Sequence, residues 1–422
     1  MSLAKTFLMK SFAISFLLLV SLFAHAGEKV LYSFQGGADG FFPVGGLVSD
    51  PSGNLYGVTE FGGNGPCQDG SVPGCGTIFE LRSDGKGGWT ETLIYAFTGG
   101  ADGQYPLYGL VRDSHGNLYG TTSGAVGALC SPRCGSVFKL SSGENGWTIS
   151  VLHAFRGKAD GGSLQGGVVL DSSGHVYGTT NAWGPKRGGT TFQLSNSGTN
   201  WTLKTIHAFG VGIDGKFPAG LLALGSDGTI YGITQEGGSA NLGVLYSLSL
   251  GQSDYWREKV LYSFPAGGKN GGFPVGLTAD SQGRLYGVSP RMPVYGDVFQ
   301  FIEHTKGGWA EKILYNFRPP NKNGPEDPSG PVIVDKSGNV YGTTFRSAEF
   351  PDEAGAVYKL TPPTSGNQWS ETMIFAFPSD STNGSRPTGP LLLDDEKNLY
   401  GVTEQGGTGC DGGCGTVFEI TP

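Results

Sequence analysis

A chain of 422 residues with 28 basic and 36 acidic side chains carries a formal charge of −8, and charged residues make up only 15% of it. No cluster of Lys and Arg stands out, which excludes an extended phosphate-binding surface and nucleic acid as a partner. Glycine, at 75 residues, supplies many tight turns and argues against long helices.

The first 26 residues read as a signal peptide. Lys5 and Lys10 precede an apolar run from Ser11 to Phe23, and Ala24-His25-Ala26 offers the small residues a signal peptidase needs, with cleavage expected before Gly27. The run is short for a membrane span, and no second stretch of spanning length follows. Losing the two lysines takes the formal charge to −10. The expected organisation is a signal peptide over 1–26 and one folded unit over 27–422, secreted to the periplasm, the cell surface or beyond.

Seven copies of one phrase then run along the chain: VLYSF (30–34), LIYAF (93–97), VLHAF (151–155), TIHAF (205–209), VLYSF (260–264), ILYNF (313–317) and MIFAF (373–377), spaced by 53 to 63 residues. A period near 55 residues holding several short strands marks propeller blades, since a lone four-stranded sheet cannot cover both of its faces. The first unit offers four strands, A to D from the axis outward: 46–50, 54–60, 76–82 and 89–97, each rich in β-branched or aromatic residues. A and B are joined by Asp50-Pro51-Ser52-Gly53, a turn that recurs along the chain. It is altered in unit four, where Gly225 replaces Asp, and in unit seven, where Lys397 replaces Gly. A Tyr-Gly pair follows each turn, from Tyr56 to Tyr400, and reads as a packing layer between blades rather than a binding ring.

Strand D opens on Trp89, Trp147, Trp201, Trp256, Trp309 and Trp369, so six tryptophans serve seven phrases. The first phrase lacks the rest of a unit before it, and the last unit stops after strand C. Residues 28–34 therefore supply strand D of the seventh blade, which closes the ring and removes a free edge. The fold class expected is all-β, a single seven-bladed propeller of four-stranded blades.

The runs PxGxL, DxxGxLYGxT, GG and GTxFxL, as in Pro43 to Gly63 with Gly76 to Leu81, recur from about residue 28 to 422. They resemble the GloVer tandem-repeat family of exported bacterial proteins, also called choice-of-anchor repeat proteins. The resemblance implies an extracellular or surface location and brings no established activity. The DxxGxLYG turn is also similar to NHL-type propellers.

The B-to-C loops vary from about 6 to 15 residues and carry all six cysteines, in the local pairs Cys67 and Cys75, Cys130 and Cys134, Cys410 and Cys414. In an exported chain these read as disulfides bracing loops of blades seven, one and two, with a zinc site as the competing arrangement. Loops that vary in length on a rigid scaffold are where binding function sits. Glu60 and Glu404 hold matching positions at the ends of their B strands, beside that arc. With Phe61 and Gln405 they form the candidate ligand-binding set, and the two carboxylates are the candidates for acid-base chemistry, ordinary solvated acids being the alternative. The D-to-A loops carry Asp39, Asp102, Asp160 and Asp214, weak calcium candidates that also suit structural turns. No nucleophile elbow, HExxH motif or phosphate loop stands in a supporting context, and no histidine falls at the inner channel mouth. The function expected is a non-catalytic binding module for an extracellular glycan, peptide or protein, monomeric and without cofactor. A carboxylate-dependent lyase or hydrolase and a structural envelope protein are the alternatives.

Overall fold

Short runs of β-branched and aromatic residues, cut every few positions by Asp-Gly or Gly-Gly turns, can pair only with their neighbours, and the chain folds as a succession of antiparallel hairpins. The computed structural model describes residues 27–421 except 71, 125–133, 199, 211, 267–271, 291–295, 306, 318–324, 348–353 and 379–381. Apart from two 3-10 turns, Lys158–Asp160 and Gln252–Asp254, all regular structure among the described residues is strand. The expected signal peptide and Cys130 lie outside the described residues.

Seven blades form the ring. In blade one the strands are Phe41–Ser49, Leu55–Phe61, Thr77–Ser83 and Trp89–Ala96, paired in that order. Strand A thus begins five residues before the sequence reading placed it. Blade seven is built from Ser385–Leu393, Leu399–Gln405 and Thr416–Thr421, with Gly27–Ser33 as its outermost strand. The register runs from Gly27 opposite Thr421 to Ser33 opposite Thr416, so the two ends of the propeller close it as the incomplete first and last units require.

The phrases hold the blades together. Each terminal phenylalanine is almost wholly buried and meets, edge to face or tilted, an aromatic ring on strand C of the following blade: Phe34 with Phe79 at 5.1 Å, Phe155 with Phe192 at 5.0 Å, Phe209 with Tyr246 at 4.9 Å, and likewise around the ring. Each such contact contributes about 0.5–1.5 kcal/mol beyond its buried area. Below them, the tyrosine of the Tyr-Gly pair meets the next blade's strand-D tryptophan, as in Tyr56 with Trp147 and Tyr177 with Trp256. Its hydroxyl donates to the turn aspartate in six blades, for example Tyr177 to Asp171 at 3.0 Å. The altered turns keep their shape: Gly228 N–H donates to Gly225 O at 3.0 Å, and Lys397 takes the left-handed conformation (φ 72°) that glycine holds elsewhere.

The innermost strands carry a feature of their own. Register shifts between Val44 and Val48, Pro106 and Leu110, Ala219 and Ala223, and Thr388 and Leu392 mark a wide bulge in strand A. Its glycine is left-handed at Gly45, Gly109, Gly220 and Gly389 (φ 70° to 74°). Blade five is one residue shorter here and pairs without a shift. At this level of strand A adjacent blades touch closely around the axis. A Cβ added to Gly46 would lie 2.7 Å from Pro390, on Gly109 2.7 Å from Gly46, on Gly220 2.5 Å from Val275, on Gly276 2.9 Å from Pro331, and on Gly330 2.9 Å from Gly389.

A second device sits at the start of each strand A. Phe42, Tyr105, Ser163, Phe217, Phe273, Asp327 and Arg386 all adopt φ between 55° and 59°, rare for residues other than glycine. In six of them the N–H donates across the blade boundary, at 2.8–3.1 Å, to the carbonyl just ahead of the preceding blade's strand C. For Phe42, Tyr105 and Ser163 that carbonyl belongs to Cys414, Cys75 and Cys134. The disulfides therefore brace the residues that latch one blade to the next.

Strand D also places Glu28, Glu91, Glu258 and Glu371 at one position, each with a buried carboxyl oxygen that lacks a hydrogen-bond partner. Burial pushes Glu28 and Glu91 up to about 7, Asp39 adding to the effect at Glu91. An acid whose folded pKa is raised binds more protons folded than unfolded, so its stabilising contribution is complete below about pH 4.5 and is lost as pH rises towards 7. Thermal unfolding is expected at a higher temperature at pH 5 than at pH 8. Glu28→Gln and Glu91→Gln should each flatten that dependence and stabilise the protein at pH 8, and a scan of melting temperature against pH checks it.

Candidate functional site

Strand B rises towards the face formed by the B-to-C and D-to-A loops, and its last residue ends beside the bulge of strand A. Because the bulge pulls strand A aside, a space of about 340 Å³ opens on the axis, lined by residues of all seven blades. Glu60 and Glu404 both line it, so the two matching positions seen in the sequence converge on one cavity. The same strand-B position brings Gln235 and Phe345 into the wall. Strand A adds Leu107, Tyr108, Leu221, Val275 and Pro331, and Gln165 stands exposed at the rim.

The electrostatics of the two carboxylates differ. Burial raises the Glu404 pKa above the usual carboxylate range, partly offset by the Arg386 guanidinium. The Arg386 guanidinium lies 6.0 Å from the ring centre of Phe345, so a cation-aromatic pair borders the cavity on the side of Glu404. Burial pushes the Tyr108 hydroxyl up to about 12, with the Glu60 charge adding to the effect. One wall therefore holds two carboxyl groups in unequal surroundings. Leu221, Val275, Pro331 and Phe345 add apolar surface in blades four to six, with Gln235 among them.

The other predicted residues fall outside the lining. Phe61 is 6% exposed, with Phe42 and Tyr105 packed edge-on to its ring at 6.0 and 5.2 Å. Gln405 pairs through its backbone with Ser385. Cys67 bridges Cys75 across a miniature hairpin, Gln68–Asp69 with Val72–Pro73, and Cys410 bridges Cys414. Cys134 is disulfide-bonded as well, and no described cysteine is free.

The four loop aspartates cap their own turns. Asp39 accepts from Gln35 N–H at 2.7 Å and Tyr32 Oη at 3.0 Å; Asp102 accepts from Thr98 N–H at 2.7 Å and Tyr95 Oη at 3.0 Å. Asp160 and Asp214 accept backbone N–H groups likewise, and each meets a histidine, His153 at 3.1 Å and His207 at 2.8 Å. Asp214 and His207 gather with Glu258, their ligand atoms within 4.8 Å of one another. The ammonium of Lys186, 3.1 Å from Asp214, supplies positive charge there.

Sequence reasoning missed Tyr108, Gln235, Phe345 and Arg386. Gln235 and Phe345 were within reach, since they align with Glu60 and Glu404 at the end of LYGxT. Tyr108 and Arg386 depend on the strand-A bulge and the left-handed residue before proline, which no local pattern announces.

Two solved structures share the architecture. The periplasmic gluconolactonase of Pseudomonas aeruginosa is 15% identical, with 79% of this chain covering 85% of that one at a TM-score of 0.51. A protein provisionally assigned as a 6-phosphogluconolactonase from Bacteroides uniformis is 14% identical, with 78% covering 83% at a TM-score of 0.50. At such identities the likeness is one of fold. A comparison with curated protein sequences finds no match. Among the described residues no helix is long and apolar enough to cross a membrane. Residues 129–318 match the Gloeobacter/Verrucomicrobia repeat, and the chain folds as a seven-bladed propeller.

Proposed function

We propose that the protein is an exported binding module whose axial cavity takes a small carbohydrate unit of an extracellular glycan. The observation that carries this is the mixed lining: carboxyl and amide groups at Glu60, Glu404 and Gln235 share the wall with the apolar side chains of Leu221, Val275 and Phe345. A sugar ring offers both hydroxyl edges and an apolar C–H face, which such a wall matches. The disulfides support export, since bridged loops persist in oxidising compartments, and residues 1–26 provide the export signal. The expected result is a rise in melting temperature with mono- or disaccharides that is lost in Glu60→Gln and in Phe345→Ala. A panel of sugars giving no shift at millimolar concentration removes this reading.

A second reading has its own support. Glu404 with a raised pKa retains a proton at higher pH than an ordinary carboxylate, as a general acid needs, while Glu60 offers a second carboxyl group in the same cavity. The fold neighbours include a lactonase by name, so sugar lactones belong in the panel. Turnover that Glu404→Gln abolishes while binding persists would make the protein a hydrolase; binding without turnover by the parent leaves it a binding module.

A further inference from the structure

On the loop face over blades two to four, three adjacent loops bring together a group of side chains unlike the rest of this acidic chain. The B-to-C loop of blade three presents Trp183, 45% exposed, and Arg187, both at positive φ (68° and 65°). Large side chains held in that conformation away from a packed core mark positions where surroundings fix a strained backbone. The fixing contacts are visible: Gly184 N–H donates to Lys158 O at 2.6 Å, Arg187 N–H to Gly184 O at 3.1 Å, and Gly188 N–H to Phe209 O at 3.0 Å. The loop is thus tied to the D-to-A loops on either side. Those loops contribute the exposed Arg156 and Lys158, and Ile213, 74% exposed beside Asp214, to which Lys186 reaches across.

We propose that this patch binds an acidic polysaccharide, with the indole of Trp183 stacking on a sugar ring and Lys158 and Arg187 pairing with its carboxylates. Exposed Trp and Arg together are the side chains that most often dominate binding surfaces. Charges beyond about 8 Å are screened at physiological ionic strength, so these local cations decide the interaction in spite of the negative chain. A lipid surface fits less well, because among the described residues of the patch only Trp183 and Ile213 protrude as large apolar groups and the buried-side acids Asp160 and Asp214 sit among the cations.

The patch also adjoins the axis. Asn181 N–H, two residues before Trp183, donates to Ser163 O at 2.8 Å, and Gln165 two residues further on is the exposed member of the cavity rim. A chain lying across Trp183 is therefore led over blade three to the cavity mouth. The choice of a glycan rests on the reading of that cavity; the existence of an anion-binding patch does not.

The test uses the chain from Gly27 onward, which contains every described strand, titrated calorimetrically with polygalacturonate, with neutral galactan, and with vesicles of equal parts phosphatidylglycerol and phosphatidylcholine. Polygalacturonate should bind, more weakly as salt is raised, and galactan and vesicles should not. Trp183→Ala, and separately the pair Lys158→Gln with Arg187→Gln, should each lower affinity by about tenfold or more, the loss of one dominant contact, at unchanged melting temperature. Equal binding by the variants, equal binding of galactan, or binding of vesicles alone overturns the proposal. Glu404→Gln separates the two sites: a loss there with Trp183→Ala unaffected overturns the patch while sparing the cavity reading, and the reverse pattern supports the patch.

Discussion

Deleting residues 27–34 should leave a protein that does not accumulate in soluble form, whereas moving the same residues to the C-terminus should leave it folded. The deletion removes the whole outer strand of blade seven, exposing strand 416–421 as an open edge and stripping Leu31 and Phe34, 7% and 0% exposed, from the core. Phe34 alone packs on Phe79 of blade one, and losing a buried phenylalanine costs about 3–5 kcal/mol. With Leu31 and six further residues of ladder also gone, the loss is comparable to the whole stability of an ordinary domain, about 5–15 kcal/mol. The permutant is informative because Gly27 lies opposite Thr421. A short turn between these residues makes the last two strands a hairpin like the C-to-D connections of the other blades, and new termini near Gly37 fall in an exposed loop. Solubility and circular dichroism of the two constructions check the pair of outcomes; a deletion that folds as well as the parent contradicts the closure.

Gly389→Ala should destabilise the protein by about 3 kcal/mol or more. Its φ of 73° costs any other residue about 1–2 kcal/mol. The added methyl group also meets the backbone of Gly45, atoms that cannot swing away as a side-chain end can, and overpacking of this kind costs about 1–3 kcal/mol. Gly53→Ala is the control: it has φ 83° and open space around its Cβ, so only the conformational part remains. Denaturant melts of the two variants against the parent measure the difference, and equal losses would mean that the axial contacts contribute nothing.

The blades were legible because the repeat shows seven times what a single unit would show ambiguously. Each Trp, each Phe and each Tyr-Gly is a weak sign, but their common spacing places every strand, and the missing tryptophan before Val30 located the ring closure. Strand A was legible only from Gly46 onward. Proline at 43 and glycines at 45 and 46 break the alternation that signals a strand, yet the strand starts at Phe41. There the pairing is held by the latch across the blade boundary, a tertiary contact no local pattern records. Glu60 and Glu404 were found by aligning units, a comparison of equivalents. Tyr108 was not, because strand A turns it to the axis only through the bulge.

The joining of the propeller's first and last strands in one sheet also sets the order of events when the protein is made. Residues 27–33 are the first of the described strands to be synthesised and residues 416–421 the last. The first strand must therefore stand without its partner until the rest of the chain has emerged, and the final pairing is as non-local as the chain allows. Pairings of that kind form slowly, since the entropy of closing the loop is lost before any contact compensates it. Until then the six completed blades form an open arc with two unpaired edges, one at each end. Two such arcs can accept each other's first strand, so rapid refolding at high concentration is where a strand-exchanged dimer of this protein will form.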